Sequence, residues 1–394
     1  MKRRWTISRI APVVAVAVAT LVTNTLPAIT GVLARQLGFE PGALGAFGSA
    51  DQLGMALGAL LAISLMRYSS PRATIVTGLT LLLAANFGSS FSSSAGAIVI
   101  LRAVGGLGTG LTVSACYYIY SLEDQERNAA ASMLGQTALA FVVITAIPRL
   151  AHAFEWRSVF IGLGLLVIPC LVFARSLRPG YKDSNAPDLS RTLAAPATVI
   201  WLGLISSALF NVAVAAFWTY LERIGAATGV AEENISNGLS IATVLGLLGS
   251  ALVLVLGERI NGAILVASVV LNIIGIVASS SPIPWVYMTA ISVFYASLPI
   301  YFSAQFSAVM RLGSSRRLAG QFTLSIYFYA LGPILGGIIA EQYGVLAVRW
   351  LAVVLTAVSA ALLWVGFFSS YSVPPRASDG VPACSKRDTL VSGQ

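Results

Sequence analysis

Apolar stretches long enough to cross a bilayer recur almost without pause along this chain, and that recurrence constrains the fold more than any other feature. Twelve such runs fall at 10–33, 42–66, 73–92, 95–119, 129–151, 158–175, 196–219, 234–256, 263–281, 284–308, 318–340 and 347–369. Backbone polar groups inside hydrocarbon must be satisfied within their own segment, so runs of this length predict helices. Composition agrees: 57% of the 394 residues are hydrophobic and only 10% charged, against about 25% charged in a soluble domain. Such a chain cannot cover a soluble core with polar surface, and its solvent is predicted to be lipid. Lys2, Arg3 and Arg4 before an apolar run resemble a secretory signal. That run continues past Pro27 to Val32 and is read as an uncleaved first helix.

The net charge of +9 does not point to nucleic acid, because the basic residues sit mostly in short loops between apolar runs. With the N-terminus inside, 18 of them fall on the inner side and 5 on the outer, while Arg102 lies within a span. This bias predicts an inner-membrane protein with both termini cytoplasmic. The one long polar segment divides the chain into an N-terminal six-helix unit (1–175), a cytoplasmic linker (176–195) and a C-terminal six-helix unit (196–370), with a disordered cytoplasmic tail (371–394). A trace of duplication joins the halves. Leu33-Ala34-Arg35 with Gly38 ends the first span, Leu221-Glu222-Arg223 with Gly229 ends the seventh, and Asn24 and Asn211 lie a few turns before them. The three cysteines form no CxxC pair and His152 is the only histidine. A metal site, a disulfide framework and Ser-His-Asp chemistry are therefore not expected, nor is a cofactor.

Several local patterns carry a family resemblance. The fourth span reads Arg102-Ala-Val-Gly105-Gly106-Leu-Gly108-Thr-Gly110, an arginine followed by closely spaced glycines. Trp156-Arg157 precedes Phe160 at the start of the sixth span, and the eleventh contains Gly332-Pro333-Ile-Leu-Gly336-Gly337. Gly257-Glu258-Arg259-Ile-Asn261-Gly262 has the form of a shortened inner-loop motif. Together with the layout, these resemble the major facilitator superfamily, most nearly its drug/proton antiporter branch. The resemblance implies two pseudo-symmetric six-helix bundles around a central cavity that opens alternately to either side. There are two departures. The loop Arg67-Tyr-Ser-Ser-Pro71-Arg72 lacks the usual aspartate, and of the fifth-helix antiporter motif only Pro148 survives, with Gly135 upstream.

Individual residues sharpen the expectation. Arg102 lies deep in a span, where a guanidinium needs a polar cavity or a counter-charge, and Gly105 and Gly106 clear bulk from its face. Asp51, beside Gln52 in the second span, is placed to bind and release a proton, or else to partner Arg102. At 1.5 Å per residue the two lie about 13 and about 10 Å below the outer surface, which predicts a shared cavity. Asn24 shares a polar stripe with Thr20, Thr23 and Pro27, suited to a cavity wall or to interhelical hydrogen bonds, and Asn211 and Asn272 read alike. Aromatic residues gather in the second half. Tyr295, Tyr301, Tyr327 and Tyr329 suit a clamp on a planar ligand, with Gln305 one turn from Tyr301. Trp218 and Tyr220 read first as an interfacial belt, and Arg149 and His152 as interface markers. Gly54 and Gly58 read as a packing pair.

The sequence contains no GxxxxGK[ST], so any active transport is expected to draw on an ion gradient, the proton first. The leading expectation is a monomeric secondary transporter that exports small amphipathic or aromatic compounds by proton coupling. Proton-coupled uptake of a small organic anion is the alternative. A membrane-embedded lipid enzyme would need an intramembrane catalytic set, and a non-transporting sensor, the remaining alternative, usually requires an output domain where the tail here is short and polar.

Overall fold

The computed structural model describes residues 7–122, 125–175, 177, 197–256, 262–311, 325 and 327–371. The linker (Leu177 apart), the tail beyond Tyr371, the first part of the eleventh span and the inner-loop motif from Gly257 to Asn261 lie outside the described residues. Every regular element among the described residues is helical: α1 (Ile7–Ala19), α2 (Leu21–Asn24), α3 (Leu26–Leu37), α4 (Pro41–Tyr68), α5 (Pro71–Ser90), α6 (Ala95–Leu122), α7 (Gln125–Phe154), α8 (Arg157–Ala174), α9 (Ala197–Ala227), α10 (Glu232–Leu256), α11 (Gly262–Ala278), α12 (Pro284–Arg311), a 3₁₀ turn (Tyr327–Ala330), α13 (Leu331–Tyr343), a second 3₁₀ turn (Val345–Ala347) and α14 (Val348–Tyr371).

Nine of the described helices are long and apolar enough to cross a membrane, and two shorter apolar helices, Ile10–Ala19 and Ala263–Ala278, accompany them. The outward faces match that solvent. Leu57, Leu61, Ile100 and Leu165 are 50–67% exposed, a surface that water would penalise and lipid does not.

The first span differs from the single helix its hydropathy predicts: it is broken at Thr20 and Thr25 into α1, α2 and α3. Pro27 is the cause of the second break. It has no N–H, so the Thr23 carbonyl loses its helical donor. That carbonyl instead accepts a hydrogen bond from the Trp218 indole N–H of α9, at 3.2 Å. The Thr20 and Thr25 hydroxyls bond back to the carbonyls of Val16 and Leu21, at 2.9 and 2.7 Å, a habit that bends helices.

Helix ends follow local chemistry. Gly38 closes α3 in the left-handed conformation at φ 64°. The short loop before α5 caps it: Ser70 Oγ accepts from Ala73 N at 3.2 Å, and Pro71 starts the helix. In the turn before α8, Trp156 is buried against Phe160, and the Arg157 guanidinium lies 5.3 Å from the Trp156 ring.

Small residues set the closest packing. The Gly106 Cα faces the backbone of Asp51, with no room for a side chain, and Gly54, Gly58 and Gly110 continue the α4–α6 seam. Among the described residues, the N-terminal part up to Arg175 and the C-terminal part from Ala197 are joined mainly at the end that carries Arg35. There Arg35 pairs with Glu222, Gly42 N donates to Glu341 at 2.9 Å, and Tyr220 Oη donates to the Pro41 carbonyl at 2.6 Å. Leu26, Ile29, Phe217, Leu221 and Ile224 make one continuous apolar core across this closed end.

Candidate functional site

A cavity of about 270 Å³ opens between the two parts. One wall comes from the broken first span and α4: Thr23, Asn24, Gln52 and Met55. The other comes from α9, α12 and the first 3₁₀ turn: Val214, Trp218, Tyr295, Leu298, Phe302, Tyr327 and Tyr329. One side therefore offers amides and a hydroxyl, the other rings. Trp218 and Tyr295 stack at 4.9 Å between centroids and 33° between planes, within the range where aromatic pairs attract. None of these lining side chains carries a charge.

The polar wall is wired inward. Gln52 Nε2 donates to Thr23 Oγ1 at 3.0 Å, and Thr23 Oγ1 donates to Asp51 Oδ2 at 3.2 Å. Asp51 is 2% exposed and does not line the cavity, but it stands one hydroxyl behind the wall. Its Oδ1 has no hydrogen-bond partner. Asn24 donates to Thr20 Oγ1 at 3.3 Å, and the one Thr20 hydroxyl proton has two acceptors at 2.9 Å, the Val16 carbonyl and Gln136 Oε1 of α7.

Arg102 is fully buried one turn before the Gly106–Asp51 contact. Its Nη2 donates to Asn86 Oδ1 of α5 at 2.9 Å, and the guanidinium carbon sits 6.0 and 5.7 Å from the rings of Phe47 and Phe160. Nε and Nη1 have no partner. Gly105 makes the space this head occupies, since a side chain there would press on the guanidinium. Among the described residues no ion pair joins Arg102 to Asp51, although they are near enough to interact through space. The structure thus sets both side chains on neighbouring helices, and neither lines the cavity that the depth argument expects them to share.

Asn211, Tyr301 and Gln305 also lie behind the wall. Tyr301 Oη meets Ser359 Oγ at 2.8 Å, Gln305 Nε2 donates to Ser206 Oγ at 3.0 Å, and Ser206 donates to the Ser359 carbonyl at 2.7 Å. Asn211 Nδ2 donates to the Ser207 carbonyl at 2.8 Å. Asn272 donates to Ser297 at 3.2 Å. Of the residues named from sequence, Thr23, Asn24, Gln52, Trp218, Tyr295, Tyr327 and Tyr329 reach the cavity itself.

The glycine motifs lie at helix contacts. Gly108 faces the Gly78 carbonyl of α5, and Gly332 packs on α9 at Val212 and Ala215. Gly336 and Gly337 pack on the Tyr220 ring and hydroxyl, and the Pro333 carbonyl accepts from Tyr220 at 3.2 Å. Pro148 lines a separate cleft at the closed end, beside Arg149 and His152. The belt expectation for Trp218 and Tyr220 is corrected: both are buried between helices, at 3% and 0% exposed, because each donates its polar hydrogen to a backbone carbonyl across the interface. Sequence reasoning missed Met55, Val214, Leu298 and Phe302, whose apolar side chains look the same facing a cavity, a core or lipid.

A sequence model of the Major Facilitator Superfamily matches residues 13–328. No curated protein sequence matches the chain. Among solved structures, the nucleoside transporter NupG superposes with a TM-score of 0.71 at 14% identity, covering 92% of this chain and 99% of that one. A D-xylose-proton symporter gives 0.71 at 14%, covering 91% and 96%. A bacterial homologue of the human lysosomal transporter Spinster, inward-facing and unoccupied, gives 0.68 at 13%, covering 92% and 97%. Likeness at this identity is a likeness of fold.

Proposed function

The chain belongs to the major facilitator superfamily and is a multi-pass membrane transporter rather than an enzyme, and from that premise we propose that it exports small amphipathic or aromatic compounds in exchange for protons. The observation that carries this reading is the cavity, with rings on one wall, neutral amides and a hydroxyl on the other, and no charged side chain among the described lining residues. A planar, uncharged or weakly polar cargo fits such walls. Asp51 is the proposed proton carrier, since Thr23 connects it to the cavity wall. Arg102 is the fixed positive charge that its protonation releases.

The reading includes twelve spans in two pseudo-symmetric bundles, 1–175 and 196–370, with linker and tail cytoplasmic in an inner membrane and the protein monomeric. The excess of inner basic residues supports that orientation, and it makes the closed end the outer one. Rocking of the bundles then supplies alternating access. Uptake of a small organic anion is the second reading, favoured by Arg102 and disfavoured by a cavity lining that is uncharged among the described residues.

Proteoliposome counterflow with aromatic dyes, nucleosides, sugars and organic acids, with and without an uncoupler, tests the proposal. Uncoupler-sensitive export of an aromatic compound is the expected result. Counterflow of carboxylates alone would replace it with the second reading, and absence of flux for any cargo would sink both.

A further inference from the structure

Glu222 of α9 lies away from the cavity wall and is 3% exposed. Its Oε1 pairs with Arg35 of α3, and its Oε2 has no hydrogen-bond partner. Gly31, one turn before Arg35, supplies the space the carboxylate fills, and any side chain there would collide with it. Arg35 has a second partner, Glu232 at the head of α10, at 2.7 Å and half exposed. A chamber of about 10 Å³ adjoins Arg35, Glu222 and Glu232, about the room one water requires. Pro148, Glu232 and Ser236 line this chamber and also a wider cleft of about 380 Å³ between α7 and α10, which carries Arg149, His152 and Glu233. Exposed titratable side chains therefore lead through a one-water chamber to a buried carboxylate with an unmet oxygen.

We propose that Glu222 is a second proton-binding site, loaded from the closed end through the α7–α10 cleft and separate from the cargo cavity, and that its protonation frees Arg35 and lets this end open. The inference rests on the transport reading. The charged and titratable groups facing the carboxylate are Arg35 from α3, Arg223 from its own helix, Glu232 from α10 and the Tyr287 phenol from α12. On protonation the carboxylate takes one proton relayed from outside through the chamber, and as the end opens the partly exposed Arg35 and the half-exposed Glu232 part into water. The guanidinium is therefore not stranded when the latch parts. A metal ion is a poorer occupant: among the described residues no cluster of three metal-binding side chains exists.

Spin labels at Phe154→Cys and Tyr343→Cys, both exposed at the ends of α7 and α13, report the width of this end in liposomes. Cys116, Cys170 and Cys384 are replaced first. Lowering the external pH is expected to populate a longer separation. Glu222→Gln should hold that longer separation at every pH. A Glu222→Gln protein that still closes and opens with pH overturns the proposal. Arg35→Gln breaks the pair from its other side and guards against a folding defect in the first variant; a short separation there at neutral pH overturns it equally. Ser236→Phe fills the mouth of the chamber and should slow the response to a pH jump without moving its end points, and unchanged speed would refute the route. The readout needs no cargo: counterflow with a pH-insensitive end sinks the latch alone, and a pH-responsive end without flux for any cargo sinks the transport reading alone.

Discussion

Asp51 and Arg102, on adjoining helices of the first part, are enclosed and leave three polar atoms without partners. The cluster in the second part, around Ser206, Tyr301, Gln305 and Ser359, is equally enclosed, but it is neutral and closely bonded, with the amide oxygen of Gln305 left over. An unmet neutral acceptor costs about 1–3 kcal/mol, whereas an unmet buried charge costs several. The neutral network can persist through a transport cycle as framework. The charged pair is tolerable only if something supplies its missing partners in part of the cycle, which fits a proton or a rearrangement of helices.

Breaking the charged side should have the largest effect. Arg102→Ala is expected to reduce flux to the level of empty vesicles at equal membrane content, and Arg102→Lys to recover little, since a point charge does not replace a planar fork. Uptake and counterflow assays decide it, and near-normal flux in the alanine variant would make Arg102 part of the framework. Next comes Asp51→Asn, expected to keep downhill exchange and lose gradient-driven accumulation. An asparagine variant that still concentrates cargo would move coupling elsewhere. Gly106→Leu forces a side chain onto the Asp51 backbone, and overpacking of this kind costs about 1–3 kcal/mol. A thermal shift in detergent should register it, with flux falling in proportion to folded protein. Smallest should be Tyr301→Phe, which removes one hydroxyl contact worth about 1 kcal/mol and leaves flux near wild type. A large loss of transport there would erase the contrast between the two regions.

The sequence already held the spanning pattern, because hydropathy over twenty residues needs no tertiary information. It also held the neighbourhood of Asp51 and Arg102, because helical rise converts residue number into depth. It could not say that both lie behind the cavity, since depth says nothing of rotation about a helix axis. Trp218 was misjudged for a related reason. A tryptophan near a helix end suits a lipid headgroup or a buried carbonyl equally well, and only the break at Pro27, some 190 residues earlier in the chain, creates that carbonyl. The repeat trace marked Arg35 and Glu222 as residues at span ends. Their pairing across the closed end depends on how α3 meets α9, which no local pattern encodes.

The carbonyl of Thr23 has a consequence for motion. A backbone oxygen without its helical donor cannot be turned toward hydrocarbon, where nothing would hydrate it. The rotational setting of the first span is therefore restricted to angles at which that oxygen meets the Trp218 indole or water. When the two walls of the cavity separate, the indole withdraws and a solvent molecule or a donor group on the cargo must take its place. Widening the cavity thus hydrates one defined backbone atom, and a ligand with an N–H or O–H beside its aromatic face can meet that oxygen as it stacks in the space the indole leaves.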